Sequence, residues 1–160
     1  MYVKEGDIVM RLVVQRCSEA SVSVNKEVVG KIGHGLMLLV GFTNGDSMAE
    51  ITYLVDKVIN LRIFDDDNGV MNKSLLDVGG SILSISQFTL YGDTKKGRRP
   101  SYVNALGGEE ATKLYNLFNE ELKKHVAVEK GIFGADMKVS LINDGPVTIL
   151  LEKEGNVNGK

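Results

Sequence analysis

Short apolar runs rich in Val, Ile and Leu alternate along this chain with two longer stretches in which apolar residues recur at helical spacing. Ile8–Gln15, Ala20–Val24 and Gly35–Phe42 read as strands from their Val, Ile and Leu content and partial alternation, with Gly30, Gly33 and Gly35 as turn signals between them. Ile51, Leu54, Val55 and Val58 share one face of a helix over Ser47–Asn60, which Asp46 can cap. A second helix is predicted from Gly108 to about His125, with Glu109 and Glu110 at its start, Lys123 and Lys124 at its end, and an apolar stripe of Leu114, Leu117, Phe118 and Leu122. Ser81–Leu90 is strand-like with polar residues in its middle, and Met137–Glu152 reads as two strands meeting at Gly145-Pro146. This pattern predicts a single mixed α/β domain whose helices cover one side of the sheet.

Composition narrows the class. At 160 residues, 43% of them apolar and 25% charged, the chain suits one soluble globular domain. The longest apolar stretches, such as Leu36–Phe42 and Val147–Leu151, fall far short of the roughly 18 residues a membrane span needs. Met1–Asp7 carries both charge signs and no apolar segment, so no secretory leader is expected, and a lone Cys17 suits a reducing cytoplasm. A net charge of −2 argues against a protein that coats nucleic acid. Yet Lys95, Lys96, Arg98 and Arg99 crowd one glycine-containing loop directly after the Ser81–Leu90 run. A solvated loop is the simplest reading of such a charge run, but its place beside a polar motif favours a small phosphate-binding footprint.

Two polar motifs carry the candidate chemistry. Asn143-Asp144-Gly145-Pro146-Val147-Thr148 puts one of only two prolines between strongly β-forming runs, where proline lacks a ladder donor and needs a reason to be; taken alone it reads as a hairpin turn. Ser84-Ile85-Ser86-Gln87-Phe88-Thr89-Leu90 is the other. On a strand, Ser86 and Phe88 would point one way and Gln87 and Thr89 the other, so one ligand could not meet all four side chains, and main-chain amides of Phe88 and Thr89 are the more economical contacts.

Together the two motifs resemble those of the D-aminoacyl-tRNA deacylases. Met10–Arg16, Ala20–Val24, Asn60–Phe64, Gly92–Pro100 and Gly131–Met137 also stand in family order, so the likeness covers about Met10 to Leu151. It implies a layered β/β/α domain over residues 10–152, flanked by a flexible extension at 1–9 and a polar tail at 153–160. It also implies a cytoplasmic homodimer that proofreads aminoacyl-tRNA by hydrolysing D-aminoacyl and mischarged glycyl esters while rejecting L-aminoacyl ones, with no metal or organic cofactor. Catalysis would rest on the backbone of Phe88 and Thr89 with the ribose hydroxyl of the tRNA. Ser86 and Gln87 would meet the substrate, and Phe133, Gly134 and Met137 would form the pocket for the terminal adenosine. Gly145-Pro146 would be cis and enter the partner's pocket, braced by Arg16.

Other arrangements are weaker. His34 in a glycine-flanked turn and His125 at a helix end read as surface or capping residues, Cys17 as structural, and Asp65-Asp66-Asp67-Asn68-Gly69 as a solvated turn that lacks the closing Glu of a calcium loop. A non-catalytic RNA-end-binding module, similar to synthetase editing domains, and a hydrolase of small D-amino-acid esters are the competing readings; deacylation of charged tRNA separates all three.

Overall fold

The computed structural model describes residues 9–153; the extension and tail expected at the two ends lie, but for Val9 and Lys153, outside them. Strand β1 spans Arg11–Val24, β2 Glu27–Ile32 and β3 Gly35–Gly41, followed by helix α1 over Met48–Asn60. A small hairpin of β4 (Phe64–Asp65) and β5 (Met71–Lys73) and the single turn α2 (Leu75–Val78) lead to β6 (Ser81–Ser86). Helix α3 covers Gly108–Lys123, and β7 (Val128–Lys130) and β8 (Lys138–Glu152) complete the sheet.

Strand β3 pairs antiparallel with the first half of β1 and parallel with β6, which pairs parallel with β7. β2 pairs with the second half of β1 on that same side, while β8 runs antiparallel along the other side of nearly all of β1. The sheet must therefore curl: a Cβ on Gly30 in β2 would stand 2.9 Å from the Lys130 carbonyl oxygen in β7. Gly30, expected as a turn, is a strand residue whose missing side chain allows that close approach.

Two cores make the layers. Leu12, Val14, Leu36, Leu38, Val40 and Ile82 pack with Ile51, Leu54, Val58, Phe118 and Leu122 between sheet and helices. Cys17, Ala20, Val22, Ile32, Met37, Leu83 and Ile85 fill the space inside the curled sheet. The expected β/β/α layering follows directly, helices on one half-sheet and the other half folded beneath. Each fully buried Leu or Ile contributes about 2 kcal/mol.

β1 is one strand where two were expected. It stays continuous because Ser18 is an extra residue in the pairing with β8, between Cys17 opposite Asn143 and Glu19 opposite Ile142. That bulge reverses the in–out parity, so odd-numbered Cys17 and even-numbered Ala20 and Val22 all reach the inner core. Helix α1 buries the predicted Ile51, Leu54, Val55 and Val58, but its cap is Ser47, in a reciprocal box with Glu50. Asp46 instead accepts hydrogen bonds from the Thr43 amide at 2.7 Å and the Met10 amide at 3.2 Å, and burial pushes its carboxyl up to about 6. In α3 the buried face is Ala111, Tyr115, Phe118, Asn119 and Leu122, rotated from the expected stripe so that Leu117 is 37% exposed.

Candidate active site

Six of the residues singled out in the sequence converge. Ser86, Gln87 and Phe88, at the end of β6, and Phe133, Gly134 and Met137, between β7 and β8, line one cleft of about 250 Å³. Its remaining walls come from the end of β3 (Val40, Gly41, Phe42), from Ile85 in β6, from Leu106 before α3 and Ala111 in its first turn, and from Ala135, Asp136 and Val139. Parallel pairing of β3, β6 and β7 brings three strand ends to the same edge, which is why residues so far apart in sequence meet there.

The Ser81–Leu90 run does not stay a strand, as expected, through Leu90. Its last ladder contact is the Gln87 amide on the Val40 carbonyl at 2.8 Å, and Phe88–Tyr91 then forms a 3₁₀ turn. Bare Gly41 makes room for it, since a Cβ there would lie 2.8 Å from the Tyr91 ring, and the Tyr91 hydroxyl donates to the Gly41 and Val9 carbonyls at 3.0 and 2.6 Å. The turn changes the chemistry on offer. Phe88 and Thr89 are its first residues, so their amides have no acceptor within it. Gln87 and Thr89 are not simply parallel neighbours on a strand face: the Gln87 side-chain amide donates to the Thr89 hydroxyl. Phe88 is 56% exposed and packs edge-on against Tyr102, ring centroids 4.9 Å apart.

Gly145 and Pro146 do not line the cleft of their own chain. They lie in a single strand rather than a hairpin, and the Gly145-Pro146 peptide is cis. Gln15 pairs with Thr148 and Cys17 with Asn143, so Arg16 alone faces the excursion Asp144-Gly145-Pro146-Val147. Gly145 and Pro146 are exposed on that excursion. Arg16 is 7% exposed and donates to the Asp144 carbonyl at 2.7 Å and the Ile63 carbonyl at 2.8 Å, with the Asp65 carboxylate 3.5 Å away. Asn143 clips the same excursion from inside, its carbonyl oxygen accepting from the Val147 amide at 2.7 Å and its amide donating to the Val147 carbonyl at 3.2 Å and the Gln15 side chain at 3.1 Å. Asn143, visible in the sequence as part of a motif, carries one local signal for this role: an Asx residue ahead of Gly-Pro bonds its own backbone a few residues on.

Lys95, Lys96, Arg98 and Arg99 are exposed on a loop tied at its base by paired Asp93 and Ser101 backbone bonds of 2.8 Å, and none of the four forms an ion pair among the described residues. Tyr102, next to that tie, touches Phe88, so the loop stands beside the cleft. Cys17 is fully buried and burial pushes its thiol up to about 11, the setting of a structural residue. His34 is exposed, its ring edge-on to Phe64 at 5.2 Å, and the Asp66 carboxylate closes the 65–69 turn on the Asn68 and Val70 amides. Among the described residues no group of three or more His, Cys, Asp or Glu is placed to hold a metal ion, and no helix is long and apolar enough to cross a membrane.

Comparison with known proteins gives this arrangement a class. A family model described as D-Tyr-tRNA(Tyr) deacylase matches residues 13–152. A D-aminoacyl-tRNA deacylase of Clostridium botulinum (strain 657 / Type Ba4) is 59% identical over 144 residues, covering 89% of this chain and 97% of its own. Its counterpart in Bacillus cytotoxicus is 56% identical over 146 residues, 91% of this chain and 100% of its own. Among solved structures, the c-Myc DNA Unwinding Element Binding Protein superposes with a TM-score of 0.86 at 41% identity, covering 91% of this chain and 99% of that one. A probable eukaryotic D-amino acid tRNA deacylase shares the fold, with a TM-score of 0.79 at 19% identity over 91% of this chain and 100% of that one. The class is therefore a hydrolase acting on the ester that joins an amino acid to tRNA. Within it, the chain belongs to the D-tyrosyl-tRNA deacylase family.

Proposed function

We propose that this deacylase removes D-amino acids, and glycine where it has been mischarged, from the 3′ end of tRNA and spares L-aminoacyl-tRNA, as a proofreading step in translation. The observation that carries the reading is the convergence of the Ser86–Phe88 strand end with Phe133, Gly134 and Met137 in one cleft. The adenosine sits against Phe133, Gly134 and Met137, and the ester carbonyl lies over the turn that opens at Phe88. Water adds to that carbonyl, and the amides of Phe88 and Thr89, which have no acceptor inside the turn, stabilise the oxyanion. The neighbouring ribose 2′-hydroxyl orients the water and relays a proton to the departing 3′-oxygen, so the enzyme needs no side-chain base.

Selection belongs to the excursion at Gly145-Pro146, supplied by the second subunit of a homodimer. Its exposure and its separation from the cleft of its own chain support a role in trans, as do exposed Ile142 and Leu150 on β8, 55% and 57% accessible, which give a partner an apolar surface to cover. The Gly145 and Pro146 carbonyls, on an excursion anchored by Arg16 at Asp144 and by Asn143 at Val147, leave room for hydrogen on the substrate α-carbon but none for an L side chain. The basic loop grips phosphates of the acceptor end: neutralising Lys95 and Arg98 together is expected to weaken tRNA binding and lower the salt slope by about one per lost contact. An unchanged slope across a salt series would remove the loop from the footprint.

The test of the whole reading is deacylation of D-tyrosyl-, L-tyrosyl- and glycyl-tRNA in parallel. Turnover of the D- and glycyl substrates with an intact L substrate is expected. Equal loss of D- and L-tyrosine would refute the assigned selectivity, and turnover of a D-tyrosine ester without tRNA would shift the substrate class.

A further inference from the structure

We infer that Tyr115 is a positioning residue for the adenosine side of the cleft: through the Ser84 carbonyl it fastens the segment that carries Phe133, Gly134 and Met137. The inference rests on the adenosine reading given above. Ser84 and Lys130 form the last pair of the β6–β7 ladder, after which the chain leaves the sheet to build the cleft wall. At that departure point the Ser84 carbonyl accepts two hydrogen bonds, from the Gly131 amide at 3.1 Å and from the Tyr115 hydroxyl at 2.7 Å. Tyr115 is 2% exposed, and its ring lies against Phe133 with centroids 5.9 Å apart and planes at 46°. One side chain of α3 thus holds both the root of the segment and its aromatic face.

The hydroxyl is the informative atom. A phenylalanine would fill the same apolar space without a buried polar group to satisfy, so packing alone does not call for tyrosine here. Beyond the root, the segment is tied mainly by a turn in which the Ala135 amide meets the Ile132 carbonyl at 3.1 Å, and by Met137, whose sulfur fills the space a Gly131 side chain would occupy. Phe133 also packs against the helix-side core, so Tyr115 and that core together set its tilt, and a shift of the root at Gly131 would be passed to the cleft.

Tyr115→Phe in the full chain removes the hydroxyl and keeps the ring. Its KM for D-tyrosyl-tRNA is expected to rise about fivefold, the worth of one buried hydrogen bond, with kcat unchanged. The inhibition constant of adenosine 5′-monophosphate should rise by the same factor. In a Phe133→Leu background the effect of removing the hydroxyl should disappear, because the two residues act as one unit. Additive effects in that cycle, an unchanged KM, or a fall in kcat that tracks a loss of thermal stability would each overturn the proposal. If the monophosphate competes with tRNA on wild-type enzyme but is equally potent on Tyr115→Phe, the positioning role fails and the adenosine reading stands; if it does not compete on wild-type enzyme, the adenosine reading fails as well.

Discussion

D-tyrosyl-tRNA ending in 2′-deoxyadenosine is expected to be deacylated at least about 100-fold more slowly than its ribose-ended counterpart, the loss typical of a missing proton-transfer group. Thr89→Ala, by contrast, should keep most of the wild-type rate. Both outcomes follow from where the residues lie. Thr89 is exposed at the start of a 3₁₀ turn, outside the cleft lining, and its hydroxyl accepts from the Gln87 amide rather than donating to a base. A nucleophilic threonine needs a base within hydrogen-bond reach, and none is bonded to it among the described residues. In the proposed mechanism the proton relay comes instead from the ribose hydroxyl of the substrate. Rapid-quench rates with the two substrates measure this directly, and an acyl group trapped on Thr89 by mass spectrometry would overturn it.

Gly145→Ala should lower D-tyrosyl-tRNA deacylation about 100-fold, the scale of an ångström-sized misplacement at a reacting centre, with little change in the melting temperature. Gly145 has φ of +148°, and a Cβ there would stand 2.7 Å from Val147 Cγ2, 2.9 Å from the Val147 amide and 3.2 Å from Arg16 Nη2. The excursion cannot absorb that atom without moving the Asp144 carbonyl that Arg16 holds or the Val147 amide that Asn143 holds. Its exposed position keeps the damage local. A mixing experiment then tests the cross-subunit assignment. Refolding Gly145→Ala chains with Phe133→Ala chains should recover about a quarter of wild-type activity, because about half of the dimers are mixed and each of those holds one intact composite site. No recovery above the separate variants would sink the composite site.

Much of this protein is written in its one-dimensional pattern. Period located the buried face of α1, because burial on one side of a helix leaves a regular trace, and apolar content located β3 and β6, which are buried on both faces. The two motifs, read with their family resemblance, pointed to the Ser86–Phe88, Phe133–Met137 and Gly145-Pro146 segments before any contact was known. What the pattern could not carry are choices settled by partners distant in sequence. Ser47 displaces Asp46 as the cap because the Asp46 carboxylate is taken by the Thr43 and Met10 amides. Tyr115 turns inward and Leu117 outward because α3 packs over Ser84 and Phe133, where a hydroxyl finds a carbonyl. The Ser81–Leu90 run breaks at Gln87 because Gly41, on a neighbouring strand, leaves space for Tyr91. Gly145-Pro146 sits in a continuous strand and not a hairpin because Arg16 fills the gap opposite it from β1. Local sequence thus determined which residues could carry the chemistry, and long-range packing decided which backbone groups they present and to which side, since only a folded neighbour can supply the missing donor, acceptor or space.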